Sequence, residues 1–284
     1  MKGVLLINKE RGWTSRDVCN KVRRLLNVKA TGHSGTLDPF AEGLLVVTIN
    51  EANKAIRFFD DKKKTYIASL KLGVKTSTGD LLGEVVETLT VPKFVLNEIE
   101  KALNSFKGKI KQIPPMTSAV HYKGRKLYQL YYEGEVVERE PREVEIYDIS
   151  LLHYEEDTIT FKVTVSPGTY IRVLGEDIAN KLGTIGHLVS LKRTNIGRLS
   201  VENAYPIDKV NKDVSLMPIS NFLSDLEHIE VDDETKKKVM DGMHLYFANA
   251  NNDIILIVDK NNDAIAIYTK VNDKKLYRCE RGLW

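Results

Sequence analysis

The sequence is poor in the features that mark secreted, membrane-spanning or metal-binding proteins. It has two cysteines, Cys19 and Cys279, which lie far apart and lack metal-ligand spacing, so we expect reduced thiols. Its longest apolar stretches, residues 44–49 and 254–258, are far shorter than the roughly 20 residues of a membrane span. The apolar residues 4–7 are too few for the core of a signal peptide. We therefore expect a cytoplasmic protein that does not cross a membrane.

A large excess of one charge is also missing, but the charges are unevenly distributed. The net charge is +3. Residues 1–58 carry ten basic and five acidic side chains, and residues 101–129 carry seven basic and no acidic ones. Residues 220–253 carry eight acidic and three basic side chains. The basic segments could follow a polyanion such as RNA or could be ordinary solvated surfaces.

The order of the predicted elements indicates an α+β protein. Strands are predicted at residues 64–72, 144–154 and 158–165, interspersed with helices, without regular parallel crossovers. This favours a mixed, mostly antiparallel central sheet flanked by helices. Near the carboxyl end the predicted elements are mainly short strands, at residues 254–259, 264–269 and 275–279. We predict two domains, residues 1–225 and a small β-rich domain at residues 226–284.

Three helices are predicted from apolar stripes and capping signals. The first predicted helix begins at Thr14 and Asp17, which have the spacing of a capping box and precede an apolar stripe. The apolar stripe of a second predicted helix consists of Leu96, Ile99, Leu103 and Phe106. Residues 170–182 form a third, with a glycine directly after it.

Residues 31–43 form the segment with the strongest local signal for chemistry. Three glycines and an Asp-Pro pair predict a tightly turned loop that holds Asp38 on a constrained backbone. Asp38 could act as a nucleophile or a general base, or could merely cap the turn. His33 in the same loop has no second histidine or cysteine nearby to suggest a metal.

Two further residues could serve a ligand or only the fold. Arg172 lies at the start of a predicted helix, where its charge opposes the helix dipole. It could have an anionic partner, either a carboxylate of the protein or a phosphate of a ligand, or it could be an ordinary surface residue. Tyr66 lies on a predicted strand and could belong to the core or stack on a nucleobase. From the residues alone, both interpretations of each stay open.

Several motifs in one order resemble the TruB family of bacterial tRNA pseudouridine synthases. Residues 35–43, Gly-Thr-Leu-Asp-Pro-Phe-Ala-Glu-Gly, are similar to the family's G-x-L-D-P-x-A-x-G loop. Residues 64–66 are similar to its K-x-Y motif, and residues 168–172 match its G-T-Y-I-R motif. Residues 76–83 and 114–128 fit further family stretches. The resemblance covers nearly the whole chain and implies the pseudouridine synthase fold with a short PUA-like domain at its carboxyl end.

The resemblance also implies a reaction and a set of site residues. The reaction is isomerisation of uridine to pseudouridine at position 55, in the T loop of tRNA, after the base is flipped out. Asp38 would be the catalytic carboxylate, Arg172 its ion-pair partner, and Tyr66 the residue that stacks on the base and helps with the C5 proton. His33 would replace the flipped base in the stack. The remaining residues expected to bind substrate are Lys9, Gly35, Leu37, Lys64, Asp80 and Tyr170.

The implied chemistry has no net redox change, so we expect no cofactor and no metal. The resemblance also implies a monomer that binds the tRNA T stem-loop. Asp38 could attack the ribose C1′ or the uracil C6, or act as a base at C2′. Two family positions differ, at Glu10 and Tyr132, where the family usually has proline and arginine. Two alternatives are a tRNA-binding or folding module without catalysis, and a carboxylate hydrolase that acts on a small molecule.

Overall fold

A computed structural model describes residues 1–59, 62–271 and 274–284. Within these ranges the α-helices are α1 Ser15–Leu26, α2 Leu96–Asn104, α3 Leu127–Tyr132, α4 Ile171–Lys181, α5 Ile219–Phe222 and α6 Asp233–Met240. The strands as far as the middle of the chain are β1 Gly3–Lys9, β2 Thr31–Ser34, β3 Glu42–Ile49, β4 Lys64–Leu72, β5 Val74–Thr76, β6 Val85–Thr88, β7 Gly108–Gln112, β8 His121–Tyr122 and β9 Arg125–Lys126. The later strands are β10 Arg142–Glu155, β11 Thr158–Val165, β12 Gly186–Ile196, β13 Leu199–Ser200, β14 Tyr205–Pro206, β15 Glu227–Glu230, β16 Leu245–Tyr246, β17 Ile254–Val258, β18 Ala264–Lys270 and β19 Leu276–Gly282.

The backbone divides into two compact units. Unit 1 consists of Met1–Asp38, Leu44–Asp61 and Val201–Trp284, and unit 2 of Pro39–Gly43 and Lys62–Ser200. The domains expected from the sequence, residues 1–225 and 226–284, stay a prediction.

In unit 1, helix α1 and the strands β1, β2, β3 and β14 form the amino-terminal core. Strand β1 is parallel to β14 and neighbours β3, and β2 is antiparallel to β3. Helix α1 begins with the predicted capping box: the Thr14 hydroxyl accepts a hydrogen bond from the Asp17 backbone, and the Asp17 carboxylate accepts one from the Thr14 backbone. The prediction of a loop throughout residues 31–43 was wrong at both ends, because the first four residues form β2 on the edge of β3 and the last two already belong to β3.

Unit 1 also contains a five-stranded sheet near the carboxyl end, in the order β15-β17-β18-β19-β16. Its neighbours are antiparallel except for β15 and β17. The β-rich character predicted for this part of the chain is confirmed. Helix α6 was not predicted, because Val239 is its single buried side chain and no apolar stripe marks it.

In unit 2, five strands form an antiparallel sheet in the order β12-β4-β11-β10-β7. Strand β12 is also parallel to Glu42 and Gly43 at the start of β3, so the strand pairing is mixed and mostly antiparallel, as predicted. Helices α2 and α4 pack against β10 and β12. The predicted α2 stripe was too long: Leu96 is 56% exposed, and Phe106 lies beyond the end of the helix.

Among the described residues, no helix combines the length and the apolar character that a membrane crossing requires.

Candidate active site

Asp38 lies on a backbone that is held by a buried hydroxyl. The Ser15 hydroxyl at the first turn of α1 donates a hydrogen bond to the Leu37 carbonyl at 3.2 Å and accepts one from the Leu37 N–H at 2.8 Å. Both residues are buried, and Pro39 restricts the backbone directly after Asp38. Asp38 itself is partly exposed. The residue before Asp38 is therefore fixed, while Asp38 itself is not fully buried.

Glycines at both ends of this loop are required by its geometry. Gly35 has φ +80° and Gly43 has φ +100°, both in the region that side chains with a Cβ rarely adopt. A Cβ on Gly43 would also lie 2.3 Å from the Arg193 carbonyl oxygen on the paired strand β12. The motif spacing thus has a local physical cause in turn conformation and close strand packing.

Two other sequence-predicted residues of unit 1 differ in their surroundings. Lys9 is 1% exposed, and its ammonium donates to the backbone carbonyls of Glu10 at 2.9 Å and Trp13 at 2.7 Å. This contact holds the loop between β1 and α1. His33 lies on β2 opposite Val47 and is partly buried. A substrate-binding role of either residue stays a prediction.

Arg172 is the second residue of α4 and is 4% exposed. Its guanidinium donates to the Thr78 carbonyl at 2.8 Å and to the Thr117 hydroxyl at 2.7 Å. The Asp80 carboxylate lies 3.5 Å from the same nitrogen of Arg172. Asp80 is therefore an anionic partner of this arginine, and the sequence alone does not indicate the pairing.

Asp80 is itself fixed within a tight turn. One of its carboxylate oxygens accepts hydrogen bonds from the Thr78 hydroxyl at 2.8 Å and from the Leu82 N–H at 3.0 Å. The other oxygen is the one nearest Arg172. The geometry makes Asp80 a positioning residue for the guanidinium, and its predicted contact with substrate stays a prediction.

Tyr66 and Lys64 lie two residues apart on β4 and therefore on the same face of the strand. Tyr66 is 6% exposed, and its register neighbours are Val163 on β11 and Arg193 on β12. Burial, together with the positive charge of Arg193, lowers the pKa of Lys64 to about 8. A fraction of this amine is therefore neutral near physiological pH.

Sequence reasoning missed two residues that shape this region. Gln112 is 2% exposed, and its side-chain amide accepts from the Tyr170 N–H at 3.0 Å and donates to the Tyr170 carbonyl at 3.3 Å. Arg193 is fully buried beside the strand that carries Tyr66. Neither lies in a recognisable motif, because their positions depend on strand pairing between distant segments.

No cluster of three or more histidine, cysteine, aspartate or glutamate side chains in the described ranges could hold a metal ion.

Comparisons with known proteins agree on the family. Residues 23–171 match the model of the TruB family pseudouridylate synthase N-terminal domain. A protein named tRNA pseudouridine synthase B from Hydrogenovibrio crunogenus is 39% identical over 242 residues, which cover 84% of this chain and 80% of that protein. The chain belongs to the TruB family. Its relative of the same name from Caldicellulosiruptor saccharolyticus is 43% identical over 243 residues, covering 85% of this chain and 83% of that one.

The fold of this TruB-family chain also resembles solved structures. A chain in the crystal structure of a Cbf5–Nop10–Gar1 complex aligns with a TM-score of 0.72 at 22% identity, covering 99% of this chain and 85% of the other. A chain in the archaeal box H/ACA Nop10–Cbf5 complex gives a TM-score of 0.71 at 21% identity, with coverage of 99% and 86%. At these identities the likeness concerns the fold alone, and it confirms the predicted fold class.

Proposed function

We propose that this protein isomerises uridine to pseudouridine at position 55 in the T loop of tRNA. The support comes from its family, whose compared members are named tRNA pseudouridine synthase B, and from the motif order in the sequence. The observation that carries the proposal is Asp38, which follows a residue held at both its N–H and its carbonyl by Ser15. A pre-positioned, partly exposed carboxylate is what the reaction requires.

The reaction breaks the bond between N1 of uracil and C1′ of ribose, rotates the base and forms a bond from C5 to C1′. One proton leaves C5 and one is gained at N1, so atoms and electrons balance within the substrate. We assign the catalytic carboxylate to Asp38, acting on C1′, on C6 or at C2′.

Arg172 is proposed as the cation that keeps this carboxylate ionised. Its guanidinium is held by Thr78, Thr117 and Asp80, so little reorganisation is needed when substrate binds. We further propose that Tyr66 stacks on the target uracil and assists removal of the C5 proton.

The target base must leave the loop of the folded tRNA before it can react, at a cost of a few kcal/mol. We propose that His33 takes its place in the stack and that Tyr170 adds a contact to the pocket. Because tRNA is the substrate, we propose that the protein works in the cytoplasm. We also propose that it acts as a monomer.

Release of tritium from tRNA labelled at C5 of uracil tests the reaction. The wild-type protein should release tritium, and Asp38→Asn should release none while still binding tRNA. Equal release from both proteins would remove Asp38 from the chemistry. If neither protein released tritium and both bound tRNA equally, the chain would be a binding module without catalysis.

A further inference from the structure

A cavity of about 420 Å³ lies in unit 1, between the loop that follows β1 and the solvent face of α1. It has the size of a small-ligand site. We call it the Trp13 cavity, and it is lined by Arg11, Gly12, Trp13, Asp17, Asn20 and Arg24. None of these residues belongs to the motifs that carry the proposed reaction.

Lys9 and the helix cap fix the walls of this cavity. The buried ammonium of Lys9 donates to the Trp13 carbonyl, so the loop that carries the indole is held. The Asp17 oxygen Oδ2 accepts from both the backbone and the hydroxyl of Thr14, and these bonds lower the pKa of Asp17. Asp17 therefore stays ionised with one oxygen committed to the helix cap.

The lining leaves polar atoms unoccupied in the described part of the chain. The Asp17 oxygen Oδ1, the Asn20 side-chain amide and the two terminal nitrogens of Arg24 make no hydrogen bond there, while Arg24 Nε donates to the Asn20 carbonyl. The cavity thus offers an aromatic ring, an amide, a carboxylate oxygen and arginine donors.

This combination suits one ribonucleotide better than an acidic peptide. A base can stack on Trp13, and arginine donors can bind its phosphate. The ionised Asp17 repels the carboxylate of an acidic peptide and a phosphate alike, but a ribonucleotide also brings a ribose 2′-hydroxyl and base N–H groups that can donate a hydrogen bond to Asp17. Asn20 can pair with a base edge.

The cavity is also linked to the loop of Asp38 through α1. Ser15, which holds Leu37, lies two residues after Trp13 in the same helix start. A nucleotide bound in the cavity would therefore contact the element that anchors the proposed catalytic loop.

We propose that the Trp13 cavity binds one nucleotide of the tRNA substrate other than the uridine that reacts. Its identification as a tRNA site rests on the proposed function. The contact would add affinity and orientation without taking part in the chemistry.

Tryptophan fluorescence tests the contact directly, because Trp13 and Trp284 are the two tryptophans of the chain. In the Trp284→Phe protein, emission reports Trp13 alone. Unmodified tRNA transcript should quench this emission saturably, with a midpoint equal to the dissociation constant from filter binding. Unchanged emission at saturating tRNA would overturn the proposal. Equal quenching by uridine or guanosine monophosphate at the same concentration would also overturn it, as the mark of a mononucleotide site.

Arginine variants in the Trp284→Phe background test the phosphate contact. Arg24→Gln should weaken tRNA binding and flatten the plot of log affinity against log salt by about 0.7 to 0.9. Arg23→Gln removes the same charge from the same helix outside the cavity lining. This control should change the affinity and the salt slope much less than Arg24→Gln does. A control that weakened tRNA binding as much as Arg24→Gln would show a diffuse charge effect and refute the specific site.

Trp13→Ala should weaken tRNA binding about tenfold, and Trp13→Phe should restore most of the loss because phenylalanine can still stack. Turnover at saturating tRNA should change less than twofold in both. Measuring emission and pseudouridine together distinguishes failure of this site from failure of the proposed reaction. If pseudouridine forms while Trp13 emission is unaltered by tRNA, only this site is refuted. Quenching by tRNA without any pseudouridine refutes the proposed reaction alone.

Discussion

Replacing Ser15 with alanine should destabilise the protein and slow its reaction through one lost hydroxyl. Ser15 and Leu37 are 2% and 3% exposed, so water does not readily replace the hydroxyl. The Leu37 N–H and carbonyl both lose their contact with it. An unsatisfied buried backbone group costs about 1 to 3 kcal/mol, so for two such groups we expect the free energy of unfolding to fall by about 2 to 6 kcal/mol.

The same substitution should lower turnover because Asp38 follows Leu37 directly. A displacement of about 1 Å of a reacting group can cost about a hundredfold in rate. We expect turnover at saturating tRNA to fall at least tenfold, with a smaller change in KM. Urea unfolding followed by circular dichroism gives the stability, and tritium release gives the turnover.

Ser220→Ala is the matched control. Ser220 is 1% exposed and lies in the same unit, but its hydroxyl has no hydrogen-bond partner in the described ranges. Removing it should leave both the free energy of unfolding and the turnover nearly unchanged. If Ser15→Ala proved no more harmful than Ser220→Ala, this hydroxyl would not be what holds the loop of Asp38 in place.

Three further predictions follow from buried groups. Asp80→Ala removes the carboxylate that lies 3.5 Å from the buried Arg172 guanidinium, so the free energy of unfolding should fall by about 3 to 5 kcal/mol in urea titrations. Asp80→Asn should lower it less, and equal losses would show that the charge of Asp80 does not matter. Gly43→Ala places a Cβ against the Arg193 carbonyl on a residue whose φ is positive. Thermal unfolding should therefore show that the free energy of unfolding falls by more than about 3 kcal/mol, and a native-like melting temperature would contradict this geometry. The folded-state pKa of Lys64, about 8, is below its ordinary value of 10.5, so between these pH values the unfolded chain binds more protons than the folded one. The free energy of unfolding should therefore rise with pH in this range. Lys64→Met should remove part of that rise, and an unchanged pH profile of stability would disprove the shift.

Much of the fold could be predicted because its signals are local. Strand β4 occupies the predicted residues 64–72, and the Thr14–Asp17 capping box is present at the start of α1. Strand β2 was missed because its glycine and polar residues are typical of a turn, and it forms only because β3 supplies a partner for its backbone. Helix α6 was missed because it has no apolar stripe; it is stabilised by its N-cap and by one buried valine.

The candidate site likewise has a part that the sequence predicts and a part that only the fold brings together. The loop of Asp38 is a contiguous motif, and its glycines can be explained residue by residue from turn geometry and packing. The pairing of Arg172 with Asp80 and the clamp of Gln112 on Tyr170 join segments that are distant in sequence. Only the folded chain brings such partners together, so no spacing rule could have found them.

Mapping of pseudouridine by sequencing, in unmodified tRNA transcript incubated with this protein, is the most direct test of the proposed reaction. We expect one new pseudouridine, at position 55, with the wild-type protein, and none with an Asp38→Asn protein that still binds the tRNA. A modification at another position, or the same modification with Asp38→Asn, would contradict it.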